Sequence, residues 1–376
     1  MSIGPQFNPS RLTLARKRRG LTMTRLAELI GVEPRSISAY ENGEFTPDPE
    51  RREQLAKALR FPVTFFAGDD LEQLSPDIAS FRAMSKITAS KRDMALGAGA
   101  IALLLNDWIE KRFELPQPNL PDLSQEGGPE AAAAAIRQLW GLGELPVKNM
   151  VHLLESGGVR VFSLAIDARE VDAFSMWHDS RPFIFLNTMK SAEHSRFDAA
   201  HELGHLVLHR HGEPQGQEVE REAHAFAAAF LMPRGSVLAH APRFATVDHL
   251  VKLKHFWTVS VAALAYRLHA LDALSEWHYR QLYIDISKRG LRTREPEEGQ
   301  RETSQVLAKV FTALRDDSVA KRDIAEQLHI TPEEIEQLVF GLTLTGLTGA
   351  PGPGAAPGRK RGQLRVVGPG RGGEAS

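Results

Sequence analysis

Over the first 67 residues, apolar positions recur three and four apart in short runs separated by polar turns. Each run opens near a capping residue or a proline, and the first three close at Gly20, Gly31 and Gly43. This start-and-stop pattern predicts short helices over SRLTLARKRRG, TMTRLAELIG, EPRSISAYENG, DPERREQLAKAL and FPVTFFA. Helices joined this tightly suggest a helix-turn-helix unit, with Ala27, Leu29, Ile30, Val32 and Ile37 turned to a small core. After an acidic linker, SKRDMALGAGAIALLLNDWIEKRFEL carries Met94, Leu96, Ile101, Leu104, Leu105, Trp108 and Ile109 at helical spacing. One long helix is predicted there, able to bury its stripe against the next domain or against a second copy in a homodimer.

Beyond a proline and glycine cluster the pattern changes. EAAAAAIRQLWGL and LPVKNMVHLLESGG read as helices, whereas VRVFSL and RPFIFLN are short runs rich in β-branched and aromatic residues and read as strands. SRFDAAHELGHLVLHR returns to the helical period. Helices, a small sheet and a further helix in this order predict an α+β domain. SVAKRDIAEQLHITPEEIEQLVFGL then predicts a small helical module that itself resembles a helix-turn-helix. Its acidic second helix favours packing or protein contact over insertion between phosphates. The expected segments are 1–67, 68–128, 129–290, 291–346 and a Gly- and Pro-rich tail, 347–376, too poor in apolar surface to order itself. The fold class is therefore mainly α: an all-α N-terminal domain, a central α+β domain, a C-terminal helical module and a disordered tail.

Composition narrows the chemistry. Apolar residues make up 42% and charged residues 25% of the chain, as in ordinary folded proteins. The formal net charge of -1 gives no global attraction to nucleic acid or to an anionic membrane, so any such site must come from local clustering. The absence of cysteine excludes disulfides, thiolate-bound zinc and thiol catalysis, and fits a reducing cytoplasm. No signal-peptide core and no run of about 18 apolar residues occurs, so a soluble cytoplasmic protein without membrane contact is expected.

Against that background FDAAHELGHLVLH, residues 197–209, stands out. On a helix His201 and His205 lie one turn apart on the same side, where both imidazoles can hold one zinc ion. Glu202 follows the first histidine, in the position of a general base that takes a proton from the attacking water and later passes it to the leaving amine. This is the H-E-x-x-H arrangement of zinc metallopeptidases. The apolar and small neighbours Ala199, Ala200, Gly204 and Val207 imply a buried helix, where unpaired imidazoles would be costly. A third ligand is required. His211 has the ten-residue metzincin spacing, but Leu208 occupies the position where that geometry needs a glycine turn. Glu218, Glu220 and Glu222 open a second periodic helix, EVEREAHAFAAAFLMP, and a carboxylate from it would complete a gluzincin-type site with a fourth position open to water. His209, a further turn along the first helix, is expected to cap or support the site.

The N-terminal stretch LTMTRLAELIGVEPRSISAYENGEFTPDPERREQLAKALRFPVTFF resembles the XRE, or phage-repressor-like, DNA-binding family through Leu21, Thr22, Leu26, Ala27, Ile37, Ser38, Glu41, Gly43 and Pro47. Met23 stands where that family usually has glutamine. The resemblance implies double-stranded DNA as a partner of residues 1–67, with Pro34, Arg35 and Ala39 at base edges and Ser36 beside them at the helix N-terminus. Of these, Arg35 can make a bidentate contact to guanine. Arg16, Lys17, Arg18 and Arg19 would lie near phosphates.

The central region resembles the ImmA/IrrE family of metallopeptidases through RPFIFLN, RFDAAHELGHLVLH and EREAHAFAAAFLMP, taken in order. That resemblance implies a zincin-like fold and makes Glu222 the third zinc ligand, with His224 where the family usually has asparagine. Family members are associated with cleavage of XRE-type repressors in stress-response or mobile-element switches. A bacterial regulator fused to its protease is thus implied, with an XRE-type repressor as protein substrate. The linker AGDDLEQLSPD, residues 67–77, is a candidate cleavage segment if another copy is the substrate. The competing expectation is a transcription factor whose peptidase-like domain is a non-catalytic sensor or dimerisation module.

Overall fold

The computed structural model describes residues 7–72, 74, 80–81, 88–164, 172–210 and 216–343. The expected tail and His211 lie outside the described residues, as do 73 and 75–77 of the linker. The described residues divide into two compact units: those within 7–74, 88–116 and 305–343 form the first, and 80–81 with those within 117–304 the second.

In the first unit, α1 (Pro9–Arg18), α2 (Met23–Ile30), α3 (Pro34–Glu41) and α4 (Pro49–Leu59) follow one another closely, ending in a 3-10 turn, Val63–Ala67. Thr22 and Asp48 cap α2 and α4 by accepting from the amides of Arg25 and Arg51. Gly31 ends α2 in the left-handed conformation at φ 68°, which turns the chain towards α3 without a side-chain clash. Leu26, Ala27, Ile30 and Ile37 are buried between these helices as expected, but Leu29 is 49% exposed. It falls on the solvent side of α2, outside the arc that Leu26, Ala27 and Ile30 occupy.

The long helix α5 (Ala89–Glu110) belongs to this unit. Its buried residues run almost all the way round, from Ala95 to Ile109. A helix apolar on every side is a core element. Gly97 allows α1 to approach, since a Cβ there would lie 3.1 Å from Arg18 Cα. Of the stripe expected to meet another domain or a second copy, Leu96, Ile101, Leu105, Trp108 and Ile109 are buried, and Met94 and Leu104 are half-buried.

The second unit holds the sheet. β1 (Ser80–Phe81) precedes α5 in the chain, and α6 (Pro129–Leu139) and α7 (Met150–Ser156) lead into β2 (Arg160–Ser163), β3 (Ala173–His178) and β4 (Arg181–Leu186). The order is β1-β3-β4-β2, with β3 antiparallel to β1 and β4, and β2 parallel to β4. β3 and β4 form a hairpin closed by Asp179 and Ser180, both left-handed at φ 45° and 62°, the signs of a type I′ turn. Phe174 and Phe185 stack with centroids 4.3 Å apart on one face. Side-chain alternation turns Ser175 and its partner Ile184 to the other face.

Against the sheet pack α8 (Ala192–Leu208) and, beyond it, α9 (Gln217–Leu231). Gly204 brings α8 and α9 close: a Cβ there would lie 3.1 Å from Phe226 Cδ1 and 3.2 Å from Ala223 Cα. The unit continues through α10 (Arg234–His240), α11 (Val247–Trp257), α12 (Val261–Ala270) and α13 (Glu276–Lys288). It extends past the boundary expected at 290, because acidic residues of the following loop are anchored within it. Glu298 accepts from the Ala192 amide at the start of α8, and Glu302 accepts from the Met150 amide at the start of α7 and pairs with Arg196. The chain then returns to the first unit as α14 (Gln305–Asp316), α15 (Lys321–Leu328) and α16 (Pro332–Val339).

Candidate metal centre and nucleic-acid face

The interior of α8 brings His201 and His205 to one side of the helix, both buried. Their Nε2 atoms lie 3.1 Å apart. The third group at this point is Glu220, one turn into α9, with carboxylate oxygens 3.4 Å from His201 Nε2 and 3.5 Å from His205 Nε2. Glu222, the carboxylate that the family resemblance implied, is directed elsewhere: its Oε2 lies 2.9 Å from His209 Nε2. Glu218 is exposed and paired with Arg221. On the helical wheel Glu220 and Glu222 flank the buried stripe of Ala223, Phe226, Ala227 and Phe230 from opposite sides, so periodicity alone does not choose between them. The way α9 crosses α8 makes the choice.

The donor set fits a zinc ion. A tetrahedral site with metal–ligand bonds of about 2.0–2.1 Å has edges of about 3.3–3.4 Å, close to the separations here. Two neutral imidazoles and one carboxylate also supply the right chemistry. His201, His205 and Glu220 are the metal-compatible His/Asp/Glu cluster among the described residues. Burial alone would raise the Glu220 carboxyl, but hydrogen bonding and charge from His201 and His205 override it and hold it down to about 2. Burial pushes the His209 imidazole below its ordinary value despite the carboxylate of Glu222.

Glu202 is buried on the sheet side of α8, where its Oε2 accepts a 2.7 Å hydrogen bond from Ser175 Oγ of β3. Sequence reasoning missed Ser175, because AFSMWH was not read as a strand and nothing local marks a serine that reaches a carboxylate 27 positions away. Beside His201 a cavity of about 540 Å³ opens, lined also by Pro129, Glu220, His224 and Tyr266. His224 packs on Phe197 at 4.9 Å and edge-on to Tyr266 at 5.3 Å, so it forms part of the aromatic wall.

In the first unit, Pro34 and Arg35 are exposed at the start of α3, with Ser36 and Ala39 half-buried behind them. The basic run at the end of α1 behaves differently from the expectation. Arg16 is buried in a bidentate pair with Glu41, at 2.6 and 2.8 Å. Arg18 is buried against Glu334 at 2.9 Å and Gln337 at 2.5 Å. Arg19 meets the other oxygen of Glu334 at 2.5 Å and donates to the carbonyls of Leu59 and Arg60. Three of the four arginine and lysine side chains expected near phosphates are therefore bound internally, and Lys17 alone of them is left half-buried without such a pair among the described residues. The acidic α16, expected to pack rather than to bind DNA, supplies Glu334.

Family models match the chain in two places. A helix-turn-helix model matches residues 12–66, from within α1 through α4 into the 3-10 turn. A peptidase-family model described as an IrrE N-terminal-like domain matches residues 154–269, from the end of α7 to the end of α12, and so includes His201, Glu202, His205 and Glu220. No curated protein matches the chain. The chain thus carries an XRE-type helix-turn-helix domain and a metallopeptidase-like domain in one polypeptide.

Proposed function

From a helix-turn-helix domain joined to an IrrE-like domain, we propose a cytoplasmic DNA-binding regulator whose second domain is a zinc metallopeptidase that cleaves an XRE-type repressor. The observation that carries this reading is the convergence of His201 Nε2, His205 Nε2 and the Glu220 carboxylate at one point beside an open cavity. A zinc ion held there would supply Lewis acidity, polarising a peptide carbonyl and lowering the pKa of a water molecule. Glu202, next to His201 on α8, is the group to accept the proton and return it to the leaving amine. The hydrogen bond from Ser175 fixes its carboxylate in one orientation. A substrate segment must reach the cavity in extended form, so a linker or frayed helix end is the segment that enters. For a second copy of this chain that segment is the linker at residues 67–77.

One observation favours a second reading, a non-catalytic sensor: Glu202 is buried and tied to Ser175, as a structural carboxylate would be. Metal analysis and fragment mapping separate the two. The wild-type chain should hold about one zinc, and His201→Ala and Glu220→Gln should each lose most of it. Glu202→Gln should retain zinc while cleavage of an XRE-type repressor stops. Full zinc with no cleavage of either such a repressor or a tagged Glu202→Gln copy would replace the enzyme by the sensor.

A further inference from the structure

We propose that the outer edge of β3 is the strand on which a substrate peptide docks, and that Ser80 and Phe81 of this chain occupy it in the resting protein. The inference rests on the reading of the second domain as a peptidase and adds how its site is kept covered. β1 pairs antiparallel with β3, Ser80 opposite Ser175 and Phe81 opposite Phe174. β4 fills the other side of β3, so the β1 side is the one to which a further strand can add. Ser175 is the residue whose Oγ donates to Glu202 Oε2 at 2.7 Å. Two positions on, Trp177 Nε1 donates to the Leu206 carbonyl at 3.0 Å. β3 therefore runs beside α8 over the turn that carries Glu202 and His205.

An extended peptide brings an N–H and a C=O at nearly every residue, and these need partners when the peptide leaves water. A sheet edge supplies them through its own backbone, whatever the side chains of the peptide. Along this turn of α8 that edge is β3. Short strands ordinarily cover an edge to keep other chains off it, and here the covered edge lies beside the candidate base. β1 is held lightly. It is two residues long against six in β3, so one residue at most exchanges both backbone hydrogen bonds with its partner. The nearest described residues on either side of it in the chain, 74 and 88, belong to the first unit, so among the described residues β1 joins the second unit by pairing and not by chain continuity. Glu202 and Ser175 are only 1% and 2% exposed, although a general base must reach water and substrate. The burial that a structural carboxylate would show is equally the resting state of a covered site.

Successive strand residues point their N–H groups to opposite sides, so one of Ser80→Pro and Phe81→Pro removes the donor that faces β3 and the other does not. In full-length protein the first of these should speed amide hydrogen exchange at residues 174–175 by about tenfold, with the β2–β4 pairing still protected. A fluorescent peptide copy of residues 67–83, titrated by anisotropy into the Glu202→Gln form, should bind that proline variant about tenfold more tightly than the same form without it. Turnover of an XRE-type repressor by the proline variant with Glu202 intact should show a lower KM at unchanged kcat, because strand and substrate compete for one place. The other proline should behave as wild type. Ser80→Gly combined with Phe81→Gly weakens the strand and keeps both donors, so it should shift exchange and affinity in the same direction by a smaller factor and serves if a proline prevents folding. Exchange and peptide affinity within about twofold of wild type in every variant overturn the assignment. Exchange and affinity that shift as expected, with no repressor cut by any form, keep β3 as an occupied docking edge and remove the peptidase reading.

Discussion

Lys254 on α11 is buried between two carboxylates, with its ammonium 2.9 Å from Glu193 and 3.2 Å from Glu295. One cation and two acids in a dry site leave an excess negative charge unless one acid keeps its proton. The two acids differ in their surroundings. Burial alone would raise Glu193, but Lys254 and the amide of Gly299 bring its carboxyl below the ordinary range. Burial pushes Glu295 up, and Lys254 does not fully compensate. A carboxyl whose pKa is raised on folding contributes stability below its unfolded pKa, about 4.3, and loses it as pH rises through the folded value. Glu295→Gln keeps an acceptor for the Val261 amide and removes the ionisation. Unfolding free energy from urea titrations should therefore shift in favour of Glu295→Gln relative to wild type as pH rises from about 4 to 7. A shift in the opposite direction would mean that Glu295 is the ionised partner of Lys254. The same scale shows how far the sequence could be read at the site. The grouping of His201 with His205 was legible because one helical turn determines it. Glu220 was not separable from Glu222, since only the crossing of two helices tells them apart.

That crossing is set by small residues. Gly204 sits where α8 meets α9, and an alanine there would bring its Cβ to 3.1 Å from Phe226 Cδ1, 3.2 Å from Ala223 Cα and 3.3 Å from Ala223 O. Two of these three atoms are backbone, so α9 itself must yield. Gly204→Ala should cost about 1–3 kcal/mol of stability by urea titration, despite alanine's better helix propensity. Zinc affinity should fall as well, because the substitution parts Glu220 on α9 from the histidines on α8. Unchanged stability and affinity would show that the two helices separate freely at that point. Elements with strong local signals, the capped helices of the first 67 residues and α8 with its neighbours, were predictable from sequence. β3 was not. AFSMWH alternates weakly, and its hairpin turns at Asp179–Ser180 rather than at the Asn-Gly or Asp-Gly pair that marks a type I′ turn. Without β3 the serine that holds Glu202 has no place in a sequence reading.

Across the whole chain, linear segments and compact units do not coincide. Composition divided the polypeptide into successive blocks, whereas the first unit joins the described residues within 7–74 and 88–116 to helices beginning at residue 305. Glu334 shows the consequence: a residue from the acidic C-terminal module, almost wholly buried, binds Arg18 and Arg19 at the end of α1. Sequence proximity made those arginines part of a basic run facing phosphates, while folding makes them part of a buried ion cluster. The two roles predict different losses. Removing Glu334 leaves two arginines without their shared carboxylate, so Glu334→Ala should destabilise the first unit by about 3–5 kcal/mol in thermal or urea unfolding. Arg35→Ala on the exposed start of α3 should leave stability nearly unchanged but relax specificity at one base position by about 1–3 kcal/mol. The salt dependence of DNA binding separates these classes further. For every phosphate that a substitution leaves without its cationic partner, the slope of log affinity against log salt becomes shallower by about 0.9. Arg18→Ala, measured on full-length protein at a temperature where it stays folded, should leave that slope at the wild-type value. A slope reduced by about one unit would return Arg18 to the phosphate face and would require its pairing with Glu334 to open when DNA binds.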